Sequence, residues 1–390
     1  MSNAGFEVAL AALRARPWQA VHLDEAVPVE ALPTPALVLD RDAFERNLAR
    51  MSVFLGDRGK GLRPHAKTHK CPLIAQLQLE AGAVGVCAAK VSEAAALVHA
   101  GVGRVLLTSP VMSAAKANIV AELAEIAEQI DVVVDSDQGL ALLRQAVSPE
   151  AELGVLVDVD VAMGRTGTRD RDQIPRLAAA AAASPGLRFR GVQHYAGHLM
   201  HMAPFARRRE RSLGLWEVVA GIVDDLAARG LKPAVVTGGG TGTYDIDSAV
   251  PCVTDLQVGS YAFMDQEYRL IGGNGTELFE DFEVALQVAA TVISQPLAGV
   301  VTVDGGYKAF ASDSVSPLPV DLGGAEFRFA GDEHGVLVLG AGTQEPLLGS
   351  VQRFITPHCD PTVNLYDYYW VCRDGLATEL WPITARGCSW

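Results

Sequence analysis

The sequence lacks the features of a membrane protein and of a nucleic-acid-binding protein. No apolar run reaches the roughly 18–20 residues that span a bilayer. Basic residues are in the minority, because 32 Lys and Arg face 46 Asp and Glu and leave a formal net charge of −14. An acidic surface repels phosphate backbones and anionic lipids. We therefore expect no nucleic acid and no membrane surface as a partner.

A disulfide framework is missing as well. None of the six cysteines forms a Cys-x-x-Cys pair, and their spacing is not that of a small disulfide-rich domain. The first residues, Met1-Ser2-Asn3-Ala4-Gly5-Phe6, lack the basic stretch and apolar block of a signal peptide. Free thiols are typical of a reducing compartment, so we expect a cytoplasmic protein.

What the sequence does contain, from about Ala36 to Met264, is a repeated unit of a short apolar run, a polar turn and an amphipathic Ala/Leu-rich stretch. Parallel strands joined by helical crossovers produce this alternation. About eight such units over roughly 230 residues favour a closed (β/α)8 TIM-type barrel over an open doubly wound sheet, which is the alternative. The apolar runs are Ala36–Leu39, Leu62–Ala66, Val84–Ala88, Val105–Leu107, Val132–Val134, Val155–Val161, Phe189–Tyr195, Ala234–Val236 and Leu256–Val258.

The pattern changes after Glu280. Gly, Pro and Asp separate four β-branched or aromatic runs, at Val284–Ser294, Gly299–Val303, Gly335–Leu339 and Tyr366–Val371. With no long helical pattern between them, these runs indicate a mostly antiparallel β domain. We predict an α/β barrel domain over residues 31–272 and a C-terminal β domain over 273–390 that includes part of 1–30. Pro28, Pro33 and Pro35 are interpreted as the linker before the first barrel strand.

The first candidate for chemistry is Lys67, in the segment Arg63-Pro64-His65-Ala66-Lys67-Thr68-His69-Lys70 at the end of a predicted strand. Barrel enzymes place their catalytic groups at the carboxyl ends of strands. Positive neighbours favour the neutral amine, so Lys67 is a candidate nucleophile toward a carbonyl compound. A solvated basic loop, or His65 and His69 as metal ligands, would explain the same residues.

A candidate phosphate site follows two later strands. Thr237-Gly238-Gly239-Gly240-Thr241-Gly242-Thr243 comes first and Gly259-Ser260-Tyr261 follows the next strand. Glycines let backbone N–H groups close on an anion, and hydroxyls add donors. The spacing is not that of a P-loop or a dinucleotide fingerprint. Two adjacent clusters favour phosphate binding over plain tight turns.

Three further side chains lie near predicted strand ends. Arg165, in Val161-Ala162-Met163-Gly164-Arg165-Thr166-Gly167, is suited to bind a phenolate oxygen or a substrate carboxylate. Tyr195 ends the next strand and His201 follows it closely, so both are candidates for cofactor contact or acid–base work. A lone His or Tyr is more often structural.

The β domain contains a candidate metal site at Thr356-Pro357-His358-Cys359-Asp360-Pro361-Thr362. If the segment is extended, His358 and Asp360 share one face and Cys359 takes the other. An imidazole with a carboxylate suits Mn²⁺ or Mg²⁺, whereas His-x-Cys would favour zinc. A His-x-Asp motif by itself is weak support for a metal.

Together these segments resemble the D-threonine aldolase and D-serine dehydratase family, which is related to the N-terminal domain of alanine racemase. The resemblance runs from about Thr34 to Arg386. It depends on the Lys67 segment, the glycine run and three further motifs in the same order. These are Leu256-Gln257-Val258-Gly259-Ser260-Tyr261-Ala262-Phe263-Met264-Asp265, Asp332-Glu333-His334-Gly335 and His358-Cys359-Asp360-Pro361-Thr362.

The resemblance implies a pyridoxal 5′-phosphate (PLP) enzyme in which Lys67 holds the cofactor as a Schiff base. It implies cofactor contacts from Arg165 and Tyr195. For the catalytic base we expect His201, with a metal-bound hydroxide as the alternative. It places the phosphate at two groups of residues, Thr237, Gly239, Gly240 and Thr241, and Gly259, Ser260 and Tyr261. His358 and Asp360 match the metal ligands, with Mn²⁺ or Mg²⁺ expected and Zn²⁺ as a further candidate.

The resemblance also implies the reaction. Dehydratase members carry His-x-Cys at the metal and aldolase members commonly carry His-x-Asp, so this chain resembles the aldolases. We expect a homodimeric lyase that splits small β-hydroxy-D-amino acids of the D-threonine type into glycine and an aldehyde. A dehydratase acting on D-serine or 3-hydroxyaspartate is the alternative, and a racemase or a non-catalytic PLP-binding protein fits less well.

Overall fold

The structure is a computed structural model and describes residues 3–390. Met1 and Ser2, the first residues of the segment that lacks signal-peptide features, lie outside this range. The described chain forms two compact units. The barrel unit contains residues 50–67, 74–259 and 387–390, and the sheet unit contains residues 3–49, 68–73 and 260–386.

The barrel unit contains a sheet of eight parallel strands. The sheet closes on itself because the Val84 N–H donates to the Leu62 carbonyl and the Cys87 N–H to the Pro64 carbonyl, both at 2.8 Å. The predicted α/β barrel is therefore confirmed. In sheet order the strands are β3 (Gly61–Leu62), β10 (Asp255–Leu256), β9 (Val235–Gly238), β8 (Leu187–His194), β7 (Leu153–Asp158), β6 (Gln129–Val134), β5 (Arg104–Leu107) and β4 (Val86–Ala88).

Apolar side chains and a buried ion pair lie in the interior of the barrel. Leu106, Val133 and Leu156 belong to one fully buried cluster, as barrel strands covered on both faces require. Arg63 Nε lies 2.9 Å from Asp255 Oδ1, and both side chains are almost completely buried. A buried charge is tolerated only with a partner, so this pair holds β3 to β10.

The sheet unit contains a ten-stranded sheet that is antiparallel except where β17 meets β2. The predicted antiparallel β domain is confirmed, and its long strand β11 pairs with β2, β12 and β16 in turn. The strands are β1 (Val21–Pro28), β2 (Ala36–Asp40), β11 (Leu286–Leu297), β12 (Val300–Val303), β13 (Leu318–Pro319), β14 (Glu326–Phe329), β15 (Gly335–Val338), β16 (Val351–Ile355), β17 (Tyr368–Arg373) and β18 (Leu376–Pro382).

The prediction of one barrel strand is wrong. Ala36–Leu39 lies in β2, which pairs antiparallel with β11 and parallel with β17 in the sheet unit. The prolines before it therefore do not precede a barrel strand. An apolar run of this length fits a buried strand in either sheet, and only its partners, roughly 250 and 330 residues away in the chain, decide which sheet it joins.

Between residues 36 and 264 the longer helices follow the predicted amphipathic stretches. None of those in residues 3–390 combines the length and the apolar character needed to traverse a bilayer. They are α1 (Asn3–Ala15), α2 (Arg41–Gly56), α3 (Pro72–Glu80), α4 (Val91–His99), α5 (Ala114–Ile126), α6 (Asp137–Ala146), α7 (Gln173–Ala182), α8 (Phe205–Ala228), α9 (Tyr244–Asp247), α10 (Gln266–Arg269) and α11 (Cys359–Val363).

Candidate active site

A cavity of about 610 Å³ in the barrel unit brings together Lys67, Arg165 and Tyr195. Its lining residues come from the carboxyl ends of seven barrel strands or from the turns that follow them. Catalytic groups of α/β barrels stand at this end, and a cofactor of moderate size fits such a volume. The fold therefore collects in one place three residues that lie far apart in the sequence.

Lys67 is positioned by the extension of β3. His65 forms an isolated parallel bridge with Cys87, and Lys67 lies in the 3-10 turn Ala66–Thr68 that follows directly. The imidazole of His65 is engaged on both sides, since its Nε2 lies 3.1 Å from Thr108 Oγ1 and its Nδ1 accepts the Lys67 N–H at 3.4 Å. The segment that carries the candidate nucleophile is thus tied to strand β4 and to the end of β5.

Arg165 and Tyr195 contact each other on the cavity wall. The guanidinium carbon of Arg165 lies 5.1 Å from the centre of the Tyr195 ring, which is a cation–π contact. The Arg165 turn needs its glycines, because Gly167 has φ +94° and a Cβ there would lie 2.7 Å from Asp160 N. A cation above a flat ring provides a donor and a planar surface for an aromatic cofactor.

Two glutamines that we did not predict as site residues also line the cavity. Gln257 donates to Gln193 Oε1 at 3.1 Å, and Gln193 donates to Asp158 Oδ1 at 3.0 Å. Asp158 is buried, and burial raises its pKa to about 6 despite the bond from Gln193. Amide side chains at the ends of otherwise apolar strands were the signal in the sequence for this polar network.

The glycine run follows β9 and is tightly packed. Gly239 has φ +67°, and a Cβ there would lie 2.5 Å from Asp247 Oδ2. A Cβ on Gly240 would lie 2.5 Å from Met200 Sδ, and one on Gly242 would lie 2.1 Å from the Met200 carbonyl oxygen. The turn therefore excludes side chains at these positions, and such a bare backbone is what an anion-binding turn requires.

Asp247, which the sequence analysis missed, supports this turn from below. Its carboxylate accepts the hydroxyls of Thr243 and Ser212, both at 2.5 Å, and burial raises its pKa to about 6. Thr237 donates its hydroxyl to Asp255 at 2.6 Å, so this hydroxyl is engaged inside the barrel. Thr241 begins the 3-10 turn Thr241–Thr243. PLP fits the barrel unit, because this unit contains a lysine, a cation stacked on a ring and a turn with a bare backbone.

Four further predicted site residues do not line the cavity. Gly259 ends the main segment of the barrel unit, while Ser260 and Tyr261 begin a 3-10 turn in the sheet unit. The Tyr261 ring is fully buried and packs edge-on against Phe282 at 5.7 Å. His201 is exposed in the turn before α8. The roles assigned to these four residues stay predictions.

The candidate metal residues lie in the sheet unit. His358 directly precedes α11, and its Nδ1 lies 2.8 Å from Asp313 Oδ2 and 3.8 Å from Glu267 Oε2. Burial by itself lowers the pKa of His358, but the carboxylates around it, Asp360 first among them, outweigh burial and raise the pKa. Asp313 and Glu267 carry no motif, so the sequence analysis did not find them.

The expectation of an extended His-x-Asp segment is wrong, because Cys359–Val363 is helical. Pro361 lies in the first turn of this helix, where a missing N–H has no cost. The Cys359 N–H donates to Asp265 at 2.9 Å, and burial raises the pKa of the Cys359 thiol well above its ordinary value. Cys359 is thus a buried thiol rather than an exposed thiolate ligand.

A metal at this position would have few protein ligands. Within residues 3–390, no three His, Cys, Asp or Glu side chains converge as a metal-binding group. His358 and Asp360 provide one imidazole and one carboxylate, and a catalytic metal needs open positions for water and substrate. This donor set fits a weakly chelated Mn²⁺ or Mg²⁺.

The chain matches known proteins over most of its length. The family described as "Alanine racemase, N-terminal domain" matches residues 39–267, and "Putative serine dehydratase domain" matches residues 285–372. A D-threonine aldolase from Arthrobacter sp is 40% identical over 93% of this chain and 95% of its own length. A 3-hydroxy-D-aspartate aldolase from Paracoccus denitrificans is 37% identical over 91% of this chain and 92% of its own. The crystal structure of D-threonine aldolase from Filomicrobium marinum superimposes with a TM-score of 0.90 at 38% identity, covering 95% of this chain and 100% of that one.

Proposed function

Because this chain belongs to the alanine racemase-type family of fold type III PLP enzymes, in the branch that carries a serine dehydratase-type domain, we propose that it is a PLP- and divalent-metal-dependent aldolase. Its substrates are β-hydroxy-D-amino acids of the D-threonine type, and its products are glycine and an aldehyde. The observation that carries the proposal is the convergence of Lys67, Arg165 and Tyr195 on one cavity at the catalytic end of the barrel. The aldolases among its relatives supply the reaction.

The residues of the barrel unit divide the task of holding PLP. The Lys67 amine would hold the cofactor through its carbonyl carbon, Arg165 would donate to its phenolate oxygen and the Tyr195 ring would support its plane. The backbone from Gly239 to Thr241 would receive the phosphate, and the contribution of Gly259, Ser260 and Tyr261 remains the prediction that the resemblance implies. Bound PLP supplies the electron sink that stabilises negative charge at Cα.

The reaction then requires one proton to leave and another to arrive. His201 accepts the proton of the β-hydroxyl, the Cα–Cβ bond breaks and the β-carbon leaves as an aldehyde. Cα takes up a proton, which completes glycine. His358 and Asp360 would hold a divalent metal, and such an ion would supply the Lewis-acid chemistry that lowers the pKa of the β-hydroxyl. Mn²⁺, a homodimer and a cytoplasmic location are further parts of the proposal; metal analysis and light scattering of the purified protein test the first two.

The test is a product assay on the purified protein with PLP, Mn²⁺ and D-threonine. Absorbance at about 420 nm, the usual region of a PLP Schiff base, together with glycine and acetaldehyde, supports the aldolase. Formation of 2-oxobutanoate instead would make the protein a dehydratase, because dehydration keeps the carbon skeleton intact. Without absorbance in that region after PLP addition, the whole proposal fails.

A further inference from the structure

The cavity contains a cation, Lys90, that has no side-chain partner among residues 3–390. Lys90 lines it together with Lys67 and Arg165. Arg165 contacts the Tyr195 ring, and Lys67 is the residue reserved for the cofactor. In the part of the chain that the structure describes, the Lys90 side chain is exposed and forms no hydrogen bond, ion pair or ring contact.

The backbone that carries Lys90 is nevertheless fixed. Lys90 is the residue before helix α4 and has an extended conformation, with φ −132° and ψ 154°. The N–H of the preceding Ala89 donates to Glu93 Oε2 at 2.6 Å, and the Glu93 side chain is completely buried. The protein therefore holds the start of the Lys90 side chain at the cavity and leaves its ammonium group uncommitted.

The chemistry of the substrate class indicates what this ammonium binds. Every α-amino acid brings an α-carboxylate into the cavity, and an anion that loses water there needs a charged donor. The acidic lining residue, Asp135, cannot serve, and its Oδ2 already accepts the Gly167 N–H at 3.1 Å. Once PLP has engaged Lys67 and Arg165, Lys90 is the remaining lysine or arginine among the lining residues of the described chain.

We propose that Lys90 binds the α-carboxylate of the amino-acid substrate, which makes it a substrate-binding residue of this site. The inference rests on the proposed function, because that function defines the substrate as an amino acid. A lysine that is only solvated would leave the binding of amino acids unchanged when it is replaced.

The experiment compares two amines that differ in the carboxylate alone. Holoenzyme is titrated with D-alanine, which lacks the β-hydroxyl and cannot be cleaved, and with ethylamine, and the change in the PLP spectrum gives each half-saturating concentration. We expect Lys90→Met to raise the D-alanine value by roughly tenfold or more, because a charge-assisted bond is lost. The ethylamine value should stay within about twofold, since that amine has no carboxylate to lose. Lys90→Arg should restore most of the D-alanine binding.

Lys232→Met is the matched control. Lys232 is an exposed lysine of the barrel unit in the segment before β9, and it is not a lining residue of the cavity. An unchanged D-alanine titration in Lys90→Met would overturn the proposal, and so would an equal weakening of both amines.

The outcome is separable from that of the proposed function. If wild-type protein binds PLP and forms no glycine, yet Lys90→Met still loses D-alanine selectively, the aldolase assignment fails and the carboxylate site stands. If glycine forms and Lys90→Met titrates like wild type, the aldolase stands and the carboxylate site fails.

Discussion

The substitution Gly239→Ala tests whether the glycine run is shaped by its packing. Two costs act at this position. An alanine at φ +67° is strained by about 1–2 kcal/mol, because its Cβ crowds the following carbonyl. The new Cβ would also lie 2.5 Å from Asp247 Oδ2 and 3.1 Å from Leu256 Cδ2. Asp247 cannot move away easily, since Ser212 and Thr243 both bind its carboxylate.

Overpacking of this kind costs about 1–3 kcal/mol, so the total for Gly239→Ala is about 2–5 kcal/mol. Gly230→Ala is the control, because Gly230 has φ +77° in the same unit and a Cβ there meets nothing within 4 Å. Gly230→Ala should lower the free energy of unfolding by the backbone strain alone, which is about 1–2 kcal/mol.

Urea denaturation of the PLP-free proteins measures this difference, and a PLP titration measures its effect on the cofactor. We expect Gly239→Ala to lose more stability than Gly230→Ala and to bind PLP at least about tenfold more weakly, because the phosphate turn is distorted. Equal losses of stability would show that Asp247 yields without cost. Unchanged PLP affinity in Gly239→Ala would refute the phosphate role of the turn.

Three further outcomes follow from the same structure. Lys67→Ala should abolish both the Schiff-base absorbance and turnover, and a fully active variant would exclude Lys67 as the PLP-binding residue. Asp313→Asn should weaken Mn²⁺ binding by roughly tenfold in a calorimetric titration, because Asp313 orients the His358 ring. The control is Asp321→Asn, since the Asp321 carboxylate pairs with Arg353. Equal Mn²⁺ affinities of the two variants would contradict this prediction. Burial lowers the pKa of His194 to about 4, below the roughly 6.5 of a histidine in the unfolded chain. The unfolded state therefore takes up the proton first. The free energy of unfolding falls as the pH drops from about 6.5 toward 4. His194→Gln should remove about 2 kcal/mol of the loss between pH 7 and pH 5, measured from urea midpoints at both pH values; an identical loss in the variant would place the acid sensitivity elsewhere.

The local patterns of the sequence predicted the barrel and several of its site residues. Strand and helix periods are short-range properties, and eight of the nine apolar runs became barrel strands. Lys67, Arg165 and Tyr195 were recognisable because each follows such a strand, and parallel strands bring their carboxyl ends to one edge. The helical form of Cys359–Val363 escaped prediction, because so short a helix depends on its surroundings more than on its own sequence.

The sequence did not predict contacts between residues that lie far apart in the chain, and only the tertiary structure revealed them. Strand β2 reads like a barrel strand, but its partners β11 and β17 lie in the sheet unit. Asp247 lies beneath Gly239, and Asp313 binds His358 across 45 residues, yet neither aspartate belongs to a recognisable motif. In the sequence, Lys90 could not be distinguished from any other exposed lysine. Its free ammonium group becomes a candidate for substrate binding because the fold places Lys90 and Lys67 on the same cavity. The sequence by itself thus determined the periods of the elements and the chemistry at strand ends, whereas pairing partners and the neighbours of each charge depend on long-range packing.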